Sequence, residues 1–541
     1  MTDSVFDFQG HTNVTDMMLE TCAQYPHKTA FSCMGQNLTF AELDQYSQQF
    51  ASYLQQHTNL QPGDRIALKM PNILQYAVAI LAALRSGMVI VNTNPLYTPR
   101  ELEHQLKDSG AKVLVVYAGM ANVVEQVIDR TDVEQVIVTE IADMHRPIKG
   151  FIVNAIVKHV KKMVPAFNLP GAITFKQALA LGKQHTVQPF AAQLEGTVAL
   201  QYTGGTTGVS KGAVLLHSNI VANLLQLTPL VQATATSDNE IIVMPLPLYH
   251  IFAFTVSIGM ARLGHHTVLV PNPRDLKSLV KEMSTVKFTA FAGLNTLFNG
   301  LCQYADFKTL DFSHLTTTIS GGMALTHTAA DQWKAVTGCV IQEGYGLTET
   351  APAVSFNEAH NIHVGSIGTV VLGTEVKVVD EQGNTLANGS EGELLVRGPQ
   401  VMAGYWNAPE ATAQAIDSDG WFKTGDIATI NDEGIIHLVD RIKDMIIVSG
   451  FNVYPNEIDN VMSAHPDILE CASVGVPSDA TGEAVKLYVV AKDSSLTQDG
   501  VIEFARQHLT AYKVPKLIAF HDELPKTPVG KILRRALTEL D

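Results

Sequence analysis

Cysteine is scarce in this chain, and positive charge is outnumbered. Its 541 residues include only five cysteines (Cys22, Cys33, Cys302, Cys339, Cys471), scattered, odd in number and without a Cys-x-x-Cys pair. That pattern argues against a disulfide framework or a structural zinc site and for a reducing compartment. Lys and Arg total 37 against 53 Asp and Glu, a net charge of −16, so nucleic acid is not expected as a partner. The first residues, Met1-Thr2-Asp3-Ser4-Val5-Phe6-Asp7, have no basic stretch and no apolar core, so no signal peptide is expected. Internal repeats and low-complexity tracts are missing. The one long apolar run, Ile241–Ala261, has only His250 as a titratable residue, but Pro245 and Pro247 spoil it as a spanning helix, leaving buried core as its reading.

What is there describes a soluble globular protein, 46% hydrophobic and 17% charged, and too long for one core. The first half alternates strand and helix. Arg65–Met70, Val89–Asn92 and Lys112–Tyr117 read as strands, and Asn72–Ser86 and Pro99–Ser109 as helices stopped by Gly87 and Gly110. That rhythm predicts an α/β fold with parallel sheet covered on both faces. Ser218 reads as the N-cap of a helix through Leu227. From about residue 365 to 439 the pattern turns to short β-rich pieces with Asp/Gly turns.

The densest chemistry lies in Tyr202-Thr203-Gly204-Gly205-Thr206-Thr207-Gly208-Val209-Ser210-Lys211-Gly212. Glycines admit a ligand close to the backbone, successive N–H groups cradle an anion, and Lys211 adds charge. This is not a Walker A loop, which needs Gly-Lys adjacent and a helix following. Here the flanks Thr197–Tyr202 and Gly212–Leu216 both read as strands.

Further motifs follow in order: Gln342-Glu343-Gly344-Tyr345-Gly346-Leu347-Thr348-Glu349, Thr424-Gly425-Asp426, Asp440-Arg441-Ile442-Lys443-Asp444 and Pro525-Lys526-Thr527-Pro528-Val529-Gly530-Lys531-Ile532. Together they resemble the adenylate-forming superfamily of acyl-CoA synthetases, luciferases and adenylation domains. Three longer strings, Asn94–Leu106, Gly293–Asn299 and Ser449–Ile458, are similar to bacterial long-chain-fatty-acid–CoA ligases. The resemblance implies a large N-terminal domain, 1–439, of parallel αβ-layered subdomains with a small β-rich, barrel-like part over 365–439. A small mobile α+β lid, 440–541, would follow.

It also implies two reactions. A long-chain fatty acid attacks the α-phosphorus of MgATP to give acyl-AMP, and the coenzyme A (CoA) thiol then takes the acyl group. Carried over residue by residue, Thr203, Gly204, Gly205, Thr206, Thr207, Gly208 and Lys211 would hold phosphates. Gly322, Met323, Tyr345 and Gly346 would lie along adenine, and Thr348 would meet the α-phosphate. Glu349 would hold Mg²⁺, Asp426 and Arg441 the ribose. Lys531 would bridge the carboxylate and α-phosphate, Lys443 would be the hinge, and Ser449 and Gly450 would line the path of the CoA pantetheine. Gly204 stands where many relatives carry a second hydroxyl residue, and Ile442 where bacterial long-chain ligases usually carry a basic one.

Within Ile241–Arg274, which has no Asp or Glu, the stretch Pro247–Phe254 resembles the family's acyl-pocket region, and the resemblance implies an uncharged acyl chain rather than an amino acid; His250 there gates the pocket or steers the carboxylate, or is a hydrogen-bonded core histidine. On a helical wheel of Phe151–Val164, Ile152, Val153, Ile156, Val157, Val160, Met163 and Val164 share one face with Lys158, Lys161 and Lys162 opposite. Such a helix lies on anionic lipid or docks on the core. The expectation is a cytoplasmic ligase, peripherally attached to a membrane; family members are often homodimers. Another acid–CoA ligase, a luciferase-like oxygenase and a non-catalytic acyl-adenylate binder stay open as alternatives.

Overall fold

The computed structural model describes residues 6–203, 210–527 and 530–540. Among them the strands form four sheets, and the fold is α/β. The first sheet is built on the parallel strands Arg65–Lys69, Val89–Asn92, Ala111–Tyr117, Gln135–Thr139 and Thr197–Thr203. Every residue of Val89–Asn92 is buried, as expected of a strand covered by helices on both faces. The second sheet places Ile241–Met244, His266–Leu269, Ala290–Gly293, Thr317–Gly321 and Ile341–Gly346 in parallel. A third, antiparallel sheet runs from Glu375–Val379 to Ile436–Arg441. The fourth holds Ile446–Val448, Phe451–Val453, Ile468–Ser478, Gly482–Ala491 and Leu517–Phe520. A single 3-10 turn, Ile442–Asp444, joins the third sheet to the fourth.

Local chemistry explains the elements. Thr98 caps Pro99–Ser109 with a reciprocal hydrogen-bond box to Glu101, Pro99 opens the helix, and Gly110 closes it in the left-handed region at φ 58°. Thr197–Thr203 turns back antiparallel onto Lys211–Leu216, with Thr203 opposite Lys211. Both flanks of the glycine- and threonine-rich motif are therefore strands, as expected. The apolar run splits into the strand Ile241–Met244 and the helix Ile251–Arg262, and among the described residues no helix is long and apolar enough to cross a membrane.

Two expectations need correction. The helix expected from Ser218 to Leu227 runs His217–Thr234. Ser218 lies inside its first turn and gives its N–H to the Leu194 carbonyl, while the Asn219 side chain accepts the Leu216 N–H at 2.9 Å. Pro229 sits within the helix rather than ending it. The helix expected at Phe151–Val164 begins earlier, as Pro147–Ala155, and continues as a π-helical turn, Ile156–Val160. Its apolar residues do not share one environment: Val157 is buried, whereas Ile152, Ile156, Val160 and Met163 are exposed. All five cysteines are buried and free.

Candidate active site

The parallel strands Thr317–Gly321 and Ile341–Gly346 end at a cleft of about 1580 Å³, the position where open α/β sheets bind ligands. Gly322 follows the first strand at φ 89°, with Met323 beside it in the cleft wall. The second strand delivers Tyr345 and Gly346, and Gly346 admits no side chain because a Cβ there would lie 1.9 Å from the Pro352 carbonyl oxygen. The 3-10 turn Thr348–Thr350 then sets Thr348 and Glu349 into the cleft.

The antiparallel sheet supplies the opposite wall. Asp426 and Arg441 are directly paired across neighbouring strands, so their side chains meet by register, with Arg441 Nε 3.0 Å from Asp426 Oδ1. The Tyr345 hydroxyl donates to the other oxygen, Asp426 Oδ2, at 2.5 Å. A carboxylate held this way keeps a fixed orientation toward the cleft. Glu349 is buried, and its Oε1 accepts the Tyr405 hydroxyl at 2.8 Å. Burial pushes the Glu349 carboxyl above its usual range, and the tyrosine hydrogen bond offsets part of that. Lys211 stands with its ammonium 5.4 Å from the Tyr405 ring centre and is not part of the cleft lining.

Lys531 enters from the C-terminal part. Its turn is closed by the Thr527 N–H, which donates to the Lys531 carbonyl at 2.7 Å, and by Gly530 at φ 93°. The Thr296 hydroxyl donates to the Gly530 carbonyl at 3.3 Å and seats the turn on the N-terminal part. A Cβ at Gly322 would lie 3.3 Å from Lys531 Cε and Nζ, so the lysine rests against a glycine floor. Burial, and then the Arg441 charge, pull its ammonium down to about 8, with Asp426 opposing. His250 caps the helix Ile251–Arg262, its Nδ1 accepting the Phe252 N–H at 3.3 Å, so its proton sits on Nε2. Burial first and Lys531 second hold it neutral, with a pKa of about 3.

Of the residues named from the sequence, Thr203, His250 and Lys443 line the same cleft as those above. Ser449 and Gly450 do not: they are exposed on the turn between Ile446–Val448 and Phe451–Val453. Gly204, Gly205, Thr206, Thr207 and Gly208 lie outside the described residues. Sequence reasoning missed Tyr405, and it placed Tyr345 without its bond to Asp426; neither pairing leaves a local signal, since the partners are 56 and 81 residues apart. It also missed Glu343, a buried carboxylate that accepts the N–H of Leu325 at 3.3 Å and of Gly365 at 2.8 Å and that burial raises to about 7. Among the described residues no three His, Cys, Asp or Glu gather into a metal cluster. A magnesium ion held at Glu349 would therefore take its remaining oxygens from substrate and water, the usual arrangement for this cation.

The cleft also has an apolar arm. It passes between the helices His217–Thr234 and Ile251–Arg262, along Leu224, Leu227, Val231, Val256, Met260 and Leu263. Glu240 borders this arm, but its Oε1 is occupied by the N–H groups of Thr236 at 2.6 Å and Ser237 at 2.7 Å.

Comparison with known proteins agrees with this geometry. The chain resembles the Long-chain-fatty-acid--CoA ligase of Escherichia coli O157:H7, 50% identical over 98% of this chain and 94% of that protein. It resembles the enzyme of the same name from Bacillus subtilis (strain 168) at 35% identity over 97% of this chain and 93% of that one. Among solved structures it resembles ATP-bound MatB from Rhodopseudomonas palustris, with a TM-score of 0.82 and 27% identity, covering 97% of this chain and 98% of that one. The anthranilate CoA ligase AuaEII in complex with anthranoyl-AMP shares the fold at a TM-score of 0.86 and 24% identity, covering 100% and 98%. The model of the AMP-binding enzyme matches residues 18–406 and that of the AMP-binding enzyme C-terminal domain matches 457–531, and the chain belongs to this family.

Proposed function

We propose that the chain is a long-chain-fatty-acid–CoA ligase that forms acyl-AMP from the acid and ATP, releases pyrophosphate, and passes the acyl group to CoA. The observation that carries this is one cleft with two chemistries: a polar end around Asp426, Arg441, Glu349 and Lys531, and an apolar arm between two helices. Relatives printed as long-chain-fatty-acid--CoA ligases support the same acid. Each methylene buried in such an arm contributes ~0.8 kcal/mol gross, so a long tail can anchor its carboxylate at the polar end.

Each residue then has a task. Asp426, fixed by Tyr345 and Arg441, accepts the ribose hydroxyls. Glu349 holds Mg²⁺, which when bound neutralises phosphate charge. Thr203 and Thr348 serve the phosphates, and Gly322, Met323 and Tyr345 flank the adenine. Lys531 places its ammonium between carboxylate and α-phosphate, where negative charge concentrates. Neutral His250 offers Nε2–H at the junction of polar and apolar ends and steers the carboxylate. Lys443, in the turn joining the two sheets, is the hinge about which residues 440–541 rotate to bring Ser449 and Gly450 to the acyl carbon. Peripheral attachment to the cytoplasmic face of a membrane belongs to this reading, because so long a tail resides in lipid.

Mass-spectrometric product analysis with MgATP, CoA and an equimolar panel of C6 to C18 and aromatic acids tests it. Acyl-CoA and AMP from the C12–C18 acids are expected. Turnover confined to aromatic acids, or acyl-AMP without any thioester, would overturn the proposal.

A further inference from the structure

The helix Pro147–Ala155 and its π-helical continuation Ile156–Val160 are built inside out. The residues turned toward the protein are Gly150, Asn154 and Val157, all buried. Gly150 lets the helix lie close to the Ala142 carbonyl oxygen, which would be 2.7 Å from a Cβ there. Asn154 accepts the Ala142 N–H at 2.9 Å and donates to Asp143 at 3.2 Å. The side facing solvent carries Ile148, Phe151 and Val160, 79, 75 and 73% exposed, with Ile152, Ile156 and Met163 beside them and His159 among them. A helix docked on a core turns such residues inward. An apolar patch presented this way marks an interaction surface.

The charge around it is equally one-sided. Between Asp143 and Glu195 there is no acidic residue and there are seven Lys and Arg, in a protein of net charge −16. Two of these cations are used internally. Lys149 Nζ donates to the Met34 and Gly35 carbonyls at 2.8 and 3.2 Å, and Lys176 pairs with Asp143 at 3.0 Å. Lys158, Lys161 and Lys162 stand exposed at the C-terminal end of the patch. A second copy of this chain meeting the same patch across a two-fold axis would bring three more lysines and no carboxylate from this stretch to pair with them. An anionic bilayer matches both features: apolar side chains enter the acyl region while long lysine side chains reach the headgroup phosphates.

We propose that this face is the surface by which the chain lies on an anionic membrane, the helix in the plane of the interface and its outer side ~5–10 Å deep. The proposal deepens the ligase reading and rests on it for why a membrane should be the partner; the surface itself is argued from the orientation and charge of the helix.

Because all five native cysteines are buried, Ile152→Cys offers one exposed thiol for an environment-sensitive fluorophore on the full chain. Vesicles of phosphatidylglycerol with phosphatidylcholine should blue-shift the probe saturably, and phosphatidylcholine alone should do so far more weakly. Reversing Lys158, Lys161 and Lys162 to Glu should weaken binding to the anionic vesicles at least ~30-fold. Phe151→Asp should remove the shift. Activity of each variant on detergent-dispersed acid reports folding and tests the ligase reading separately, so a protein that binds vesicles but makes no acyl-CoA sinks only that reading. The surface is overturned if the protein sediments with vesicles while the probe stays unshifted, or if both substitutions leave binding unchanged. A shift that grows with protein concentration in the absence of lipid would also overturn it, in favour of a second copy.

Discussion

The Tyr345 hydroxyl and Asp426 Oδ2 are 2.5 Å apart although 81 residues separate them in the chain. The bond ties the end of a parallel strand to the antiparallel sheet and leaves Asp426 with two fixed partners, the tyrosine and Arg441. Removing a hydrogen bond to a charged group costs ~1.5–3 kcal/mol. Tyr345→Phe should therefore raise KM for ATP by roughly tenfold or more, with a smaller change in kcat. Steady-state kinetics at saturating acid and CoA check this; an unchanged KM would remove Asp426 from ribose binding.

Lys531 gives a pH dependence with a definite sign. Burial lowers its ammonium to about 8, so in the free enzyme the cation is present below that pH and lost above it. The kcat/KM for pyrophosphate exchange should fall along a basic limb near pH 8. Lys531→Arg, a cation at every accessible pH, should move that limb upward even if activity drops. Lys531→Ala should cripple acyl-AMP formation and largely spare thioester formation from supplied acyl-AMP. Equal loss of both steps would contradict the role.

Glu349→Gln keeps the shape of the site and removes its charge. The half-saturating Mg²⁺ concentration should rise at least ~10-fold, whereas Tyr405→Phe, which frees one oxygen of the same carboxylate, should change it less. A magnesium titration of pyrophosphate exchange separates the two variants.

Gly259 faces the apolar arm from the helix Ile251–Arg262, and a Cβ there would first meet Leu224 at 3.4 Å. Gly259→Phe should fill the arm and shorten the accepted chain. With ~0.8 kcal/mol per methylene at stake, the ratio of C16 to C8 turnover should fall by at least ~10-fold. An unaltered ratio would mean that the tail lies elsewhere.

Sequence legibility followed distance along the chain. Pro99–Ser109 was readable to the residue because its cap, its proline and its stop are all local. The helix read as ending at Leu227 continues through Pro229 to Thr234, carried on by packing of the buried turns before the proline, which local pattern does not show. The site residues were legible as motifs, but the bonds that orient them join sheets, and no spacing encodes Tyr405 to Glu349. The wheel over 151–164 identified an amphipathic segment without revealing that Gly150 and Asn154, two small or polar residues, form the side that packs inward.

Lys531 lies inside the cleft while Ser449 and Gly450 lie outside it, and both belong to the C-terminal part, which is tied together by the Lys526–Glu470 ion pair at 2.7 Å and by Ile532 packed against its core. One rigid body cannot present both edges at once. The consequence is a schedule: under the proposed rotation the thiol is kept from the acyl carbon until Lys531 has withdrawn, so pyrophosphate departs before CoA reacts, and the shape of the chain itself acts as the timer.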